Sequence, residues 1–506
     1  MGDTPDDLRV PPAATRDLAP AAEVSAVRFV VVGIGADGWE GLTRAAQNEL
    51  AGATTILGSP RQLAMLDGHV SATIVPWRSP MNEHLDELAP RSSGEEGSSE
   101  VRALRSPGEE VTGSPSAEAS VRVRDLRTPS AEASSRVPDL RSPSAEASVR
   151  VRALRSPSAE ASLRASVYRG AGDPTHPTHI LASGDPMFHG VGASIIARVG
   201  ADAVRVIPAV SSASLAAARL GWDLARTQVV SLVTASPSTI LAHASGGTRL
   251  LVLSRDARTP SNIAELLCDN HFGASSMTVL EQLGGPAERI RSDRADVWKA
   301  PDVDPLNIVA LQLRGPKRIA TPGLDDTAYD HDGQLTKRVV RALTVSALAP
   351  SDGQLLWDVG AGSGSVGIEW LRVERSSRAI AFETVTTRAG RITGNAARHG
   401  VADRLTIVGA APAAFSKAPD PDTVFVGGGL DRTLFDAAWA RLRPGGRLVV
   451  NAVTVENQTL LATLFAEFGG TMTRLGIEQA GPLGTMTTWR PLLPIVQWVV
   501  EKGSGE

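Results

Sequence analysis

The chain has almost none of the residues that hold secreted or redox-active proteins together. Of 506 residues, one is cysteine, Cys268. That count excludes an intrachain disulfide and fits a reducing compartment. In SNIAELLCDN the thiol falls at a helical apolar spacing, and cysteine is among the residue types most often buried. Cys268 is therefore expected in a core and not as a nucleophile. Long apolar runs are missing too, with nothing near the ~18 residues that cross a bilayer. Nor is there a surplus of one charge: 51 Lys and Arg stand against 55 Asp and Glu, a net of −4. No global field therefore recruits nucleic acid or an anionic membrane, and a polyanionic ligand would need a local cluster of Arg and Lys. His176-Pro-Thr-His179 lies in a proline-rich loop without a cysteine or further histidine nearby, so no metal site is expected. The first residues, MGDTPDDLRVPPAATRDLAPAAE, lack the basic start and apolar core of a signal peptide. Residues 1–25 read as a disordered leader, and the whole as a soluble cytoplasmic protein.

What is present is α/β alternation interrupted by low complexity. A length of 506 residues exceeds what one core usually organises, so two or more domains are expected. VRFVVVGIGADG (27–38) reads as a strand entering a glycine turn, and ATTILGS (53–59) as a second strand. Residues 121–134, 135–148 and 149–162 are tandem copies of one 14-residue unit, VRVRDLRTPSAEAS in the first. Each copy carries proline and serine with few large apolar groups. It cannot offset an ordering entropy of roughly 1–2 kcal/mol per residue. Residues 89–168 are read as a disordered insertion inside a first domain, 26–318. After it, THILASGDPMFHG, QVVSLVT, TRLLVLS, SMTVLEQLG and LNIVALQL alternate with helical stretches, which predicts a largely parallel sheet.

A proline- and glycine-marked joint (314–326) leads to a second domain, 319–506. Its first helix, in LTKRVVRALTVSAL, sets Leu335, Val339, Leu343 and Ala347 on one apolar face. Strands and helices then alternate as in a doubly wound α/β fold, where ligands sit at the carboxyl ends of strands. The strongest local signal is WDVGAGSGSVGIEW (357–370). Asp358 closes a strand, Gly360, Gly362 and Gly364 alternate through a turn, and a helix starts near Ser365. Side chains missing at alternate positions let a ligand lie against the backbone. Glu383 ends the next strand, where a carboxylate can accept bonds from ribose hydroxyls. The spacing D-V-G-A-G-S-G differs from the G-x-G-x-x-G of dehydrogenases and is typical of Rossmann-like S-adenosyl-L-methionine methyltransferases. Gly33, Gly35 and Gly38 do match G-x-G-x-x-G, so an NAD-dependent oxidoreductase is the alternative. No acidic residue closes the following strand, which counts against it.

Beyond these motifs, VVGIGADG, LASGDPMFHGVG (181–192), VIPAVSSASLAAARLG (206–221) and PLNIV (305–309) occur in the order found in the tetrapyrrole (corrin and porphyrin) methylases, which the first domain resembles. The resemblance implies a two-lobed α/β fold with S-adenosyl-L-methionine folded in the cleft. It puts Gly184, Asp185 and Pro186 on one side of that cleft and Ser211 and Ser212 on another loop, with Gly33 and Gly35 bordering a substrate trough. The second domain resembles the decarboxylating precorrin methyltransferases through its glycine turn, HDGQLTKR (331–338), VFVGGG (424–429), LRPGGRLVVNAVT (442–454) and GPLGTMTTWRPLLPIVQW (481–498). Both families on one chain imply C-methylation of a precorrin at carbons 5 and 15 with loss of the ring C acetate carboxyl, in cobalamin biosynthesis. Methylation of carbon 5 would fall to the first domain, and of carbon 15, with decarboxylation, to the second. A homo-oligomer through the second domain is also implied. The remaining alternative is a two-domain methyltransferase of another tetrapyrrole.

Substrate carboxylates call for cations. The candidates are Lys337 and Arg338 beside Gln334 and Thr336, with Asn451 at a strand end and His331 as a proton donor. Three features depart from the family pattern: the insertion, Val339 where glutamate is common, and Ala410. Related sequences usually place an aspartate for the adenine amino group at the position of Ala410.

Overall fold

The computed structural model describes residues 27–77, Leu85, Leu88, 176–299 and 302–504. The expected leader, 1–25, and the whole of the expected insertion, 89–168, lie outside the described residues. The strands are β1 (Phe29–Ile34), β2 (Thr55–Gly58), β3 (Thr73–Pro76), β4 (Thr178–Ser183), β5 (Val204–Ile207), β6 (Gln228–Ser231), β7 (Arg249–Leu253), β8 (Ser276–Glu281), β9 (Arg289–Arg294) and β10 (Asn307–Gln312). They continue with β11 (Leu355–Val359), β12 (Arg378–Phe382), β13 (Leu405–Val408), β14 (Thr423–Val426), β15 (Arg447–Ala452), β16 (Thr471–Leu475), β17 (Glu478–Leu483), β18 (Met486–Pro491) and β19 (Ile495–Glu501).

The first lobe is a five-stranded sheet, β3-β2-β4-β1-β5, parallel at every pairing. β4 lies between β1 and β2, so the sheet closes across the long insertion. Val30, Val32, Ile34, Leu50 and Ile56 form its core on one side. The second lobe has the order β6-β7-β10-β8-β9. Here the sequence expectation of a largely parallel sheet fails: only β6 and β7 run parallel, and the other pairings are antiparallel. Two of the three antiparallel pairings come from β10, which runs between β7 and β8 against both, and the third from β9 (RIRSDR), almost wholly exposed. It has no apolar alternation to betray it and returns from β8 as a hairpin partner, where a parallel crossover would need a helix.

Cys268 is exposed, contrary to the buried-core expectation. In the helix Thr259–Asp269 the buried positions are Thr259, Pro260, Ile263, Ala264 and Leu267, and the next residue lies about 100° further round the helix, outside that stripe.

The C-terminal domain is a seven-stranded sheet, β13-β12-β11-β14-β15-β19-β16. The first five strands are parallel, and β19 runs antiparallel to both its neighbours, β15 and the edge strand β16. This is the doubly wound Rossmann-like fold the patterning predicts. The order steps outward from β11 in both directions, so the glycine turn after β11 stands at the switch point where such sheets bind ligands. Apolar clusters cover both faces, one around Trp357, Phe435 and Trp498 and one around Leu356, Ile368 and Trp370.

The helix before β11, Arg338–Leu348, does not bury the expected face. Val340, Arg341, Thr344, Val345 and Leu348 face inward, while Val339 and Leu343 are exposed. Two stripes fit the same 3.6-residue period. The buried one wins because Arg341 and Thr344 find polar partners inside.

Among the described residues the two domains are docked against each other. Asp403 of the second domain accepts from the Ser236 amide at 2.9 Å and the Thr239 hydroxyl at 2.5 Å. Gly400 packs so tightly that a methyl group there would collide with the Ala242 backbone.

Candidate active sites

In the C-terminal domain the site grows from the residue that ends β11. Asp358 is buried, with Oδ2 accepting from the Gly367 amide at 3.0 Å and Oδ1 without a partner. Burial pushes its carboxyl up to about 7, the Gly367 bond opposes this, and Glu383 adds to it. Its bond to the first turn of helix Ser365–Val373 sets the exit angle of the chain. Gly360, Gly362 and Gly364 follow at φ of 70°, 59° and 75°, a region costly for residues with a Cβ. The three glycines do different things. A Cβ on Gly360 would press on the Gly428 backbone at 2.9 Å, and one on Gly364 on Ile392 at 2.9 Å. Gly362 faces open space, with the Gln334 carbonyl nearest at 3.7 Å. Glu383, just past β12, accepts from the Gly362 amide at 2.8 Å and the Val385 amide at 2.9 Å. Each carboxylate oxygen keeps a lone pair for a ribose hydroxyl. An open glycine backbone with an acid bonded to it fits a nucleoside of the S-adenosylmethionine kind.

HDGQLTKR is laid across this turn by groups the sequence did not single out. Arg388 donates to Asp332 at 2.7 Å and to the Gln334 carbonyl oxygen of the side chain at 2.9 Å. Arg341, fully buried, donates to the Thr336 carbonyl at 2.6 Å and to Glu369 at 2.5 Å. Glu369, equally buried, accepts from the Gly323 amide at 2.5 Å, the Leu324 amide at 3.1 Å and the Tyr329 hydroxyl at 3.1 Å. Burial first, then Glu369, raises the Tyr329 phenol well above its ordinary value.

Lys337 caps the helix Arg338–Leu348 and is exposed. Arg338 is tied to the Gly323 carbonyl at 2.8 Å, and His331 Nδ1 accepts from the Gly333 amide at 3.0 Å. Asn451 does not sit like a free substrate contact. Its amide donates to Thr344 at 2.8 Å and accepts from Gln497 at 3.0 Å, because antiparallel β19 places Gln497 directly opposite it. Ala410, half-buried past β13, offers only backbone, and its carbonyl takes the Ala414 amide at 2.9 Å.

In the N-terminal domain a cavity of about 370 Å³ opens between the two lobes. Gly35, Gly184, Asp185, Ser211 and Ser212 lie on its wall. Ser211 also caps the helix Ser212–Leu220, Gly184 turns at φ 60°, and Asp185 accepts from the Met187 amide at 2.9 Å. Two expected residues do not line it. Pro186 is buried and shapes the loop, its carbonyl accepting from the Gly192 amide at 3.0 Å. Gly33 lets chains cross, since a methyl there would strike the Gly184 carbonyl. Wall residues that the sequence did not reveal are Arg61, His189 and Ser254. His189 sits at φ 57°, and burial lowers its imidazole below the ordinary value.

Comparison with known proteins follows the same division. A family model described as the precorrin methyltransferase domain matches residues 327–502. One described as tetrapyrrole (corrin/porphyrin) methylases matches residues 154–297. The precorrin-6Y C(5,15)-methyltransferase [decarboxylating] of Mycobacterium tuberculosis (strain CDC 1551 / Oshkosh) is 38% identical over 478 residues, 94% of this chain and 100% of the relative. The chain belongs to this family of decarboxylating precorrin methyltransferases. The member from Sinorhizobium sp is 44% identical over 332 residues, 65% of this chain and 80% of its own length. Among solved structures, the C-terminal domain of precorrin-6Y C5,15-methyltransferase from Rhodobacter capsulatus is 45% identical, covering 37% of this chain and all of that one, with a TM-score of 0.36. Family membership replaces the oxidoreductase alternative built on Gly33, Gly35 and Gly38. It also joins β1–β3, which precede the matched tetrapyrrole segment, to a methylase lobe whose sheet they share with β4.

Proposed function

We propose that this enzyme methylates precorrin-6Y at carbons 5 and 15 and removes the ring C acetate carboxyl, giving precorrin-8 in cobalamin biosynthesis. The observation that carries the reading is the pairing, on one chain, of a two-lobed cleft with a glycine-turn site, in a protein that spans its mycobacterial relative end to end. S-adenosyl-L-methionine supplies a methyl group on a sulfonium, which a nucleophilic carbon displaces. In the C-terminal domain Asp358, Gly360, Gly362, Gly364 and Glu383 would hold it. In the cleft Gly184, Asp185, Ser211 and Ser212 would do so. Because a sulfonium leaves as a neutral thioether, the protein's work is positioning and exclusion of water. Lys337 would meet a substrate carboxylate at the edge of the C-terminal site, with Gln334 and Thr336 shaping the approach. Asn451 would act from below by holding Thr344 and Gln497.

Full-length protein incubated with precorrin-6Y and the cofactor should yield, by mass spectrometry, a product with two added methyl groups and one CO2 lost. Methyl gain without CO2 loss would remove the C-terminal half of the reading, and no mass change would remove all of it.

A homo-oligomer through the C-terminal domain is part of the same reading. The β17–β18 hairpin pairs only with itself among the described residues, and a lone hairpin is marginal in water. It exposes Leu483, Met486, Trp489 and Leu493 at 60–75%. Light scattering should give a multiple of the chain mass, and Trp489→Ser with Leu493→Ser should lower it. A monomeric wild type would refute this. A cytoplasmic location accords with the single cysteine, and among the described residues no helix is long and apolar enough to cross a membrane.

A further inference from the structure

A guanidinium stays charged at any physiological pH, so an arginine held away from water without an acceptor is an unusual thing to keep. Arg61 comes close to this: it is half-buried, and one of its two terminal nitrogens has no acceptor. It follows β2 in the short helix Pro60–Ala64 and stands on the wall of the cleft between the lobes. Its Nη2 reaches Ser183 Oγ at 3.3 Å, while Nη1 is shielded from solvent and has no partner. The acid that acts on it electrostatically is Asp304, across the cleft. That carboxylate is already engaged, accepting from the Leu306 amide at 2.7 Å and from Gln282 Nε2 at 3.0 Å. Asp185, the acid on the wall itself, accepts from the Met187 amide at 2.9 Å.

Among the described residues, Arg61 is the one permanent cation lining the cavity. Two other wall residues also carry shielded polar atoms without partners, Ser254 Oγ and Asn307 Oδ1. The cavity therefore has a charge and polar groups that its own walls leave unsatisfied.

We propose that Arg61 receives a carboxylate of a ligand bound in this cleft. Two N–H groups in a fixed fork match a carboxylate's geometry, which a lysine in the same place would not. Given the function proposed above, two carboxylates could fill the position: a side-chain acid of the tetrapyrrole, or the α-carboxylate of the cofactor. Either one supplies the acceptor that Nη1 lacks.

The test uses full-length Arg61→Gln and Arg61→Lys in two arms. In the first, S-adenosylhomocysteine is titrated by calorimetry. In the second, precorrin-6Y is titrated at equilibrium by absorbance, with KM read separately by mass spectrometry of the methylated product. In one arm Arg61→Gln should weaken binding by about tenfold or more, and Arg61→Lys should recover part of the loss, because it keeps the charge and loses the fork. Weakened tetrapyrrole binding with unchanged cofactor binding assigns the substrate acid, and loss of one class of cofactor sites assigns the cofactor. Wild-type affinity in both arms, in a variant with an unchanged Tm, overturns the proposal. If Arg61→Gln does not fold, Arg61→Lys decides, with wild-type affinity in both arms again overturning it. A wild type that binds the tetrapyrrole yet transfers no methyl group would instead defeat the functional reading, leaving Arg61 to be judged on binding.

Discussion

Position 410 is where a single side chain should change how tightly the C-terminal site holds its cofactor. Past β13 the chain offers the Ala410 methyl and backbone where an aspartate would accept a bond from an adenine amino group. In the proposed reading the glycine turn and Glu383 hold the nucleoside, and position 410 adds no side-chain acceptor. Ala410→Asp should tighten binding of S-adenosylhomocysteine at that site by about tenfold, the worth of one bond to a charged group. Calorimetry reads it directly, and an unchanged affinity would mean the adenine is held elsewhere. The residue scale is also where sequence reading misplaced things. Cys268 sat at an apolar spacing yet one position past the buried stripe. Asn451 had the right strand end but the wrong neighbours, because Gln497 comes from a strand late in the chain. Nothing in SPRQL singles out Arg61 or tells that its Nη1 is shielded.

At the scale of elements, the C-terminal site depends on a strap. Residues 323–337 run over the glycine turn and are fastened from beneath by Arg341 and Glu369, which leave no exposed surface to speak of. Glu369 accepts four hydrogen bonds, from Arg341, two backbone amides and Tyr329. Glu369→Gln leaves Arg341 buried and only partly compensated by half-exposed Asp326, at 3.1 Å. Breaking a buried pair typically costs about 3–5 kcal/mol. The variant should melt markedly lower and show faster hydrogen exchange across 323–337, whereas Asp326→Asn should cost far less. Equal losses from both would mean the strap is held by packing and not by this pair. The GQLTKR segment was legible as a motif, and its fastening was not. The helix Arg338–Leu348 carries two stripes of comparable periodicity, and only the position of Glu369 on a neighbouring helix explains why the stripe containing Arg341 turns inward.

At the scale of the molecule, the joint between the domains should be sensitive to acid. His243 of the second lobe accepts or donates at Nδ1 with Gln228 at 2.8 Å and lies 3.4 Å from Arg375 of the C-terminal domain. Burial, followed by Arg375, Arg404 and Arg318, lowers its imidazole to about 4. His399, beside Arg372, is likewise lowered to about 4, chiefly by burial. Both rings are neutral in the fold, while an unfolded chain takes up their protons below about 6.5. The stability this represents is present above that pH and is lost progressively as pH falls towards 4. Each ring accounts for at most about 3 kcal/mol. Thermal melts should therefore fall between pH 7 and pH 5, and His243→Asn should flatten that fall. A variant with the wild-type slope would place the acid sensitivity elsewhere.

Sequence alone determined the α/β class, the doubly wound C-terminal sheet and the glycine turn at its switch point. An α/β period, a glycine turn closing on Asp358 and an acid after the next strand are local patterns, because backbone conformation and the approach of a ligand to bare glycine depend on residues a few positions apart. Tertiary structure alone decided which stripe of a helix is buried, that the second lobe is mixed, that Pro186 and Gly33 stand behind the cleft wall and that Nη1 of Arg61 lacks a partner. Those outcomes depend on which groups from distant segments arrive at the same place, and burial and hydrogen bonding are properties of that meeting, not of either segment.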